Sequence, residues 1–222
     1  MSFIDPPVDS AGHDAKPPMT AKLYSVYFKR ILDVSLVIFS LPVVLPFIGI
    51  MALLVAMDGS NPFYSQIRLG RASRTFRIWK LRTMVPDADA KLREYLDAHP
   101  SARKEWGAKQ KLTHDPRVTL IGRILRKTSI DELPQLYNVL TGDMSLVGPR
   151  PMMINQKSLY PGRAYFALRP GITGPWQVSD RHTSTFAARA KFDTEYYKTL
   201  SFAEDLRLLV ATVRVVLRGT GC

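Results

Sequence analysis

Cysteine is almost missing from this chain of 222 residues: Cys222 stands alone, at the last position. One thiol excludes an intrachain disulfide and any cysteine-based metal centre, which suits a reducing compartment. A prenylation box needs its cysteine four residues from the end, so that reading is excluded too. Histidine is nearly as scarce. His13 lies in the N-terminal tail, and His99, His114 and His182 each stand singly beside Pro, Asp or Arg. Neither a zinc site nor a histidine-based hydrolase triad is supported by that scatter. The phosphate loop GxxxxGK[ST], the dinucleotide fingerprint GxGxxG and the zinc motif HExxH are all absent. Acidic residues are in deficit, 19 against 31 Lys and Arg, which leaves a net charge of +12. Such an excess points to a polyanionic partner: lipid headgroups, phosphorylated substrates or nucleic acid. Aromatic-basic interleaving of the kind that reads RNA is also missing, so nucleic acid is not the expected partner.

What is present in quantity is an apolar run. Val34 to Met57 carries no charged side chain, and about 20 apolar residues suffice to cross a ~30 Å hydrocarbon core. Pro42 and Pro46 sit in its middle, where each removes a backbone donor and crowds the preceding turn. Pro46 divides the run into two pieces, each reaching roughly 18 Å, about half a bilayer. Lys22, Lys29 and Arg30 precede it; Arg68, Arg71, Arg74, Arg77 and Lys80 follow. Flanking Lys and Arg mark the cytoplasmic side of a membrane segment, and here both ends claim it. A segment that enters, breaks and returns to the same face satisfies length, prolines and charge together. A proline-kinked spanning helix and a buried soluble core helix are the alternatives.

The rest of the chain has the composition of a packed domain. Residues 1–20 are expected to be a disordered tail and do not resemble a signal peptide, because the apolar run starts too late and is too long. Residues 21–58 form the expected re-entrant anchor, closed by the turn cluster Asp58-Gly59-Ser60-Asn61-Pro62. Residues 59–222 form the expected cytoplasmic domain. Within it the alternation over 63–84 predicts one or two strands around Gly70. Residues 86–111 read as one charged helix packing through Leu92, Tyr95, Leu96 and Trp106. Residues 118–127 read as an amphipathic helix with Leu120, Ile121, Ile124 and Leu125 opposite Arg117, Arg123, Arg126 and Lys127. A short helix is expected over 134–140, little regular structure over 143–181, and an amphipathic helix over 202–217. On that last helix Leu206, Leu209, Val210, Val213 and Leu217 share the face expected to pack, or else to lie in the membrane interface. The fold class is α+β, mainly helical: a helix-break-helix anchor joined to a small domain with interfacial helices and short strands.

The chemistry concentrates at Asp131-Glu132, directly after the basic amphipathic helix. Ser129-Ile130-Asp131-Glu132 fits a helix-capping box, which is a purely structural use of these residues. The functional use is that adjacent carboxylates hold Mg²⁺ together with substrate phosphates, or that one of them attacks phosphorus. An anionic nucleophile approaching a phosphate requires cations. Lys80, Arg82, Arg126, Arg150 and Arg169 are candidates, and two of these stand in rigid turns, Gly148-Pro149-Arg150-Pro151 and Arg169-Pro170-Gly171.

Residues 27–219 resemble the bacterial sugar transferase family, the monotopic polyprenyl-phosphate phosphoglycosyl transferases. The likeness rests on motifs in the family's order: Tyr27-Phe28-Lys29-Arg30 with Asp33, the proline-broken apolar segment, and Gln66-Ile67-Arg68-Leu69-Gly70. Phe76 through Met84, Ser129 through Leu136, Gly142 through Pro151, and Arg169 through Gly174 follow, with Asp193, Tyr196 and Tyr197 near the end. The resemblance implies transfer of a sugar-1-phosphate from a UDP-sugar to polyprenyl phosphate, initiating exopolysaccharide or related glycan assembly on the cytoplasmic face of the inner membrane. Asp131 would be the nucleophile, expelling UMP, and Glu132 would bind or position Mg²⁺. Arg126, Arg150 and Arg169 would hold phosphates, with Lys80 a further contact and Arg82 and Gln177 among the substrate-binding residues. Lys29, Arg30, Pro42 and Pro46 would belong to the anchor at headgroup depth. Galactose or glucose phosphate is the expected cargo, and a homo-oligomer is allowed. Two positions depart from the family's habit: Leu45 precedes Pro46 where many members carry serine, and Arg181-His182-Thr183 replaces a commoner Gly-Arg-Asn. The non-catalytic rival is a membrane-bound basic adaptor for anionic lipid or nucleic acid.

Overall fold

The computed structural model describes residues 24–109, 112–179 and 186–217. The tail 1–20, Lys22, the stretch Arg181-His182-Thr183 and Cys222 lie outside the described residues. After a π-helical turn, Tyr24–Phe28, comes α1, Lys29–Ala56. The hairpin β1 (Phe63–Leu69) and β2 (Thr75–Leu81) follows. Next are α2 (Ala88–Ala98), α3 (Pro100–Lys109), α4 (Leu120–Thr128), a 3₁₀ turn Ile130–Gln135 and α5 (Leu136–Thr141). The remainder comprises β3 (Ser145–Val147), α6 (Ala164–Ala167), β4 (Gly171–Thr173), α7 (Pro175–Val178), α8 (Arg189–Thr199) and α9 (Phe202–Leu217). The described chain is mainly helical with short strands, as the composition and periodicity imply.

The expected two pieces of the apolar run are one helical element. α1 is assigned as helix over all 28 residues with Pro42 and Pro46 inside it. A proline removes one donor and tilts the axis, but the flanking turns keep their own bonds, so helical assignment passes through it. Among the described residues, α1 is the one helix long and apolar enough to cross a membrane. Phe39, Val43 and Leu53 are largely exposed along it, so most of its surface has no protein cover.

The chain divides into two compact units. The first comprises residues up to Val37, Ile67–Arg77 and Asn138–Thr212. Here β3 and β4 pair in parallel, Ser145 against Gly171 and Val147 against Thr173. One apolar cluster joins Tyr24, Val147, Leu168, Tyr196, Leu200 and Leu208. A second gathers Leu69, Met152, Tyr160, Tyr165 and Ala190, with the rings of Tyr160, Tyr165 and Phe166 packed edge to face.

A buried polar network fastens the start of α1 into this unit. Asp205 accepts from Lys29 Nζ at 2.5 Å, Tyr24 at 2.7 Å and Tyr196 at 2.5 Å. Asp33 accepts from the Ser145 hydroxyl at 2.7 Å and the Leu146 amide at 3.1 Å. Burial, then the Asp205 carboxylate, pushes the phenols of Tyr24 and Tyr196 well above the usual range, which keeps both as donors. The network also sets the roll of α9. Asp205 and Leu208 face inward and Leu209 packs beside them, while Leu206, Val210 and Val213 are exposed, so only part of the expected apolar stripe packs.

The second unit comprises Ile38–Gln66, Ile78–Tyr137 and residues from Val213 onward. Its core sets Ala52 and Val55, near the end of α1, against Leu81 and Leu125, with Ile48, Met51, Ile121 and Ile130 beside them. The charged stretch expected as one helix is two, because His99 leaves the helical region (φ −129°, ψ 93°) before Pro100. That is what steric conflict with the proline ring demands of a preceding residue. α4 starts at Thr119, whose hydroxyl accepts from the Gly122 amide at 2.9 Å. Gly122 permits that start: a Cβ there would lie 2.0 Å from the Thr83 carbonyl oxygen. Leu125 and, in part, Ile121 pack inward, while Leu120 and Ile124 remain exposed.

Candidate active site

The second unit brings Asp131, Glu132, Lys80 and Arg126 together. α4 ends at Ser129, which adopts a left-handed conformation (φ 58°, ψ 18°) and turns the chain directly into the 3₁₀ turn that carries both carboxylates. The capping-box use fails here, because the Ser129 side chain caps nothing and Glu132 reaches elsewhere. Glu132 Oε1 accepts from Lys80 Nζ at 2.6 Å, and the same nitrogen lies 3.8 Å from Asp131 Oδ2. Lys80 comes from the last turn-in of β2, one residue before Leu81 enters the core, so strand alternation aims it away from that core. One ammonium therefore offsets two adjacent negative charges.

Arg126, in the last turn of α4, is held by its Nε on the Thr83 hydroxyl at 2.9 Å. Burial lowers its pKa most; the charges of Asp131 and Asp115 oppose that shift, and Arg117 reinforces it. An arginine remains charged after a modest depression, so Arg126 is a half-buried cation whose field reaches Asp131.

Arg82 does not belong with this group. Its Nε donates to the Asn61 carbonyl at 2.7 Å, and its terminal nitrogens donate to both oxygens of Asp58 and to the carbonyls of Met84 and Val55. All five guanidinium donors are thus consumed. The expected phosphate ligand is a clamp that ties the end of α1 to the turn after it. The Asp58 carboxyl is correspondingly held below the usual range, first by the Arg82 hydrogen bond.

The other expected site residues fall in the first unit. Arg30 donates to the Val139 and Leu140 carbonyls at the end of α5, and Lys29 is buried against Asp205. Both cations at the start of α1 are thus engaged with protein groups. Gly142 terminates α5 with φ +88°, a conformation that glycine adopts without penalty, and its carbonyl accepts from Arg169 Nε at 3.0 Å. Arg150 lies between β3 and the turn that follows, and its charge reaches Arg189. Gln177 is buried in α7, its amide nitrogen 3.5 Å from the Ile172 carbonyl and its carbonyl oxygen without a partner among the described residues. Pro42 and Pro46 are both inside α1.

Sequence reasoning missed one constellation in the first unit. Arg189 lies over Trp176 at 4.0 Å and over Phe186 at 4.7 Å, and burial, then Arg150, pulls it down to about 10. Beside it Asp193 accepts from Tyr160 at 2.8 Å and is pushed up to about 6 by burial. Trp176 lies 13 positions before Arg189, so its part in the stack leaves no local pattern.

For a divalent cation the donor set fits in kind. Asp131 and Glu132 offer hard carboxylate oxygens on one turn, and Mg²⁺ ordinarily takes one or two carboxylates and fills its other positions with water and substrate phosphate. No group of three or more His, Cys, Asp or Glu side chains that could hold a metal occurs among the described residues.

The sequence pattern of the family described as "Bacterial sugar transferase" matches residues 24–219. The chain is 42% identical over 196 residues to the exopolysaccharide production protein ExoY of Sinorhizobium fredii, covering 87% of each protein. It is 42% identical over 203 residues to the UDP-galactose-lipid carrier transferase of Erwinia amylovora. It is 41% identical over 203 residues to the undecaprenyl-phosphate galactose phosphotransferase of Salmonella typhimurium. The last two alignments cover 90% of this chain but 43% of those longer proteins. A match across nearly every described element, carboxylate turn and apolar helix included, makes the chain a member of the bacterial sugar transferase family.

Proposed function

We propose that this enzyme transfers a sugar-1-phosphate from a UDP-sugar to polyprenyl phosphate, with Asp131 as the nucleophile. A carboxylate oxygen of Asp131 attacks the sugar-linked phosphorus. The bond from that phosphorus to the bridging oxygen breaks, and UMP departs with the electron pair. An oxygen of polyprenyl phosphate then attacks the same phosphorus, regenerating the carboxylate and giving a polyprenyl diphosphate sugar. The names of the two galactose-phosphate relatives support the substrate classes, with galactose phosphate the leading cargo. The single observation that carries the nucleophile assignment is the carboxylate pair beside one shared lysine and one half-buried arginine.

Lys80 and Arg126 oppose the repulsion between the carboxylate and an incoming phosphate, a preorganised use of charge that is worth most where water is excluded. Glu132 takes up the Lys80 ammonium at 2.6 Å, while Asp131 lies 3.8 Å from it. A bound Mg²⁺ on the pair would neutralise phosphate charge as the phosphoryl group transfers. Arg150, Arg169 and Gln177 are proposed to contact substrate, on the strength of the family likeness alone.

We further propose that α1 enters one leaflet and returns, placing the enzyme on the cytoplasmic face of the inner membrane. Support comes from connectivity. The first turns of α1 are fastened in the first unit and its last turns in the second. The chain then passes between those units within β1, within β2, within α5 and within α9, with no other spanning-length apolar helix among the described residues. Connections without a second spanning segment support both ends of α1 facing the same side. The bare apolar rows on α4 and α9, each with flanking arginines, suit contact with the membrane surface.

Intact-protein mass spectrometry after incubation with UDP-galactose or UDP-glucose and Mg²⁺, without lipid acceptor, tests the chemistry. The expected product is the enzyme plus one hexose phosphate, with stoichiometric UMP. An adduct that persists in Asp131→Asn, or that maps to another residue, overturns the assignment.

A further inference from the structure

The first unit contains a cavity of about 410 Å³ between the tip of the β1–β2 hairpin and the end of α5. Arg71, Arg74 and Arg169 line it, and Asp143 is its one acidic wall residue. We infer that this cavity is a phosphate-oxyanion site, taking a phosphate group carried either by a lipid headgroup or by a soluble nucleotide. The inference shares Arg169 with the proposed reaction but does not depend on Asp131 chemistry.

Four observations lead there. First, the three guanidinium groups have no carboxylate partner within ion-pairing distance among the described residues, while the Asp143 carboxylate accepts from the Thr141 hydroxyl at 2.9 Å. Second, Arg169 spends only its Nε, on the Gly142 carbonyl, which fixes the plane of the group and leaves its terminal nitrogens as a fork. That fork matches two oxygens of a phosphate. Third, like charges are crowded rather than relieved. Beyond burial, the charges of Arg71 and then Arg30 make Arg169 harder to keep protonated. Arg30 stands close by, its guanidinium 3.7 Å from where a Cβ on Gly142 would sit.

Fourth, the loop that presents Arg71 and Arg74 is held in a costly shape. Ala72 (φ 55°) and Ser73 (φ 61°) are successive left-handed residues without a glycine between them. The loop closes through the Gly70 amide on the Arg74 carbonyl at 2.6 Å and the Arg74 amide on the Arg71 carbonyl at 3.2 Å. An ordinary hairpin tip would place glycine or asparagine at such positions. Crowded cations on a strained loop around a polar cavity are stabilised by an oxyanion that bridges them.

The test uses the full chain in a phosphate-free maltoside detergent, with inorganic pyrophosphate as probe and calorimetry as readout. Wild type and Asp131→Asn are each expected to show a pyrophosphate-binding event that Arg71→Gln/Arg74→Gln weakens at least tenfold. Both substituted positions are exposed, so the double variant is expected to keep the wild-type melting temperature. Two further arms separate the sources. Loss, in the double variant, of the preference for phosphatidylglycerol over phosphatidylcholine vesicles assigns the site to a lipid headgroup. A tenfold rise in KM for UDP-sugar with vesicle binding unchanged assigns it to the nucleotide. Pyrophosphate binding unaltered by Arg71→Gln/Arg74→Gln, or absent from the wild type at millimolar concentration, overturns the inference. Failure of Asp131 to form an adduct leaves the calorimetric and vesicle arms readable, so the two readings fail separately.

Discussion

Two lysine–carboxylate pairings in this protein use the same chemical groups to opposite ends. In the first unit Lys29 meets Asp205, whose side chain is 1% exposed, and the pair is closed over by Tyr24 and Tyr196. Every oxygen of that carboxylate has a donor, and no approach for a ligand is left. In the second unit Lys80 is shared between Asp131 and Glu132, whose side chains are 11% and 17% exposed. Lys80 serves two anions, at 2.6 Å and 3.8 Å, and the field of Arg126 reaches Asp131 as well. A sealed ion pair holds structure; one left partly open to solvent is one that a substrate can reach.

The comparison breaks first at Asp131. Asp131→Asn is expected to lower UMP release at least a thousandfold while leaving the melting temperature nearly unchanged, because the amide retains the shape and loses the nucleophile. Turnover measured with a UMP-release assay decides it. The next largest effect belongs to the buried pair. Lys29→Met leaves the buried Asp205 carboxylate with two tyrosine donors and no cation, and breaking one side of such a pair costs about 3–5 kcal/mol. Thermal unfolding in detergent should show that loss, and Lys29→Met/Asp205→Leu should recover most of it.

A third effect concerns Asp193. Its pKa is raised to about 6 from 3.8, so the folded state holds this proton more tightly than the unfolded chain does. The stabilisation is complete below about pH 4 and is lost as pH rises through about 6. Its full span is about 3 kcal/mol. Asp193→Asn should flatten that part of the stability profile, measured as melting temperature between pH 4 and 7. The smallest effect is expected for Lys80→Met, about tenfold to a hundredfold in kcat. Adduct formation should slow by the same factor, since the lysine offsets charge and does not react.

Much of this was legible in the sequence, for reasons that differ by region. Asp131-Glu132 stood out because the turn follows a helix whose basic residues are consecutive, and short-range placement survives folding. The hairpin was legible for the same reason: alternation on both sides of Gly70 is a local signal. Over 143–181, the expectation of little regular structure overlooked β3 and β4, because a parallel pair only three residues long per strand leaves no periodicity to read. Part of the expected packing face of α9 is exposed because one aspartate outweighed a row of aliphatics. Asp205 needs Lys29, which lies 176 positions away, and nothing near either residue announces the other. Arg82 was misplaced for a related reason: its role is set by carbonyls of Val55 and Asn61, and backbone acceptors carry no sequence signature.

That distance of 176 residues between Lys29 and Asp205 also dictates an order of events during synthesis. The apolar helix α1 leaves the ribosome early, while Lys29 at its start still lacks a counter-charge. Only when α9 has been translated can the lysine be paired and buried, so the start of α1 is locked late. A ribosome that stops before Asp205 therefore releases a chain whose α1 is unlatched, a defined target for the proteases that police unfinished proteins.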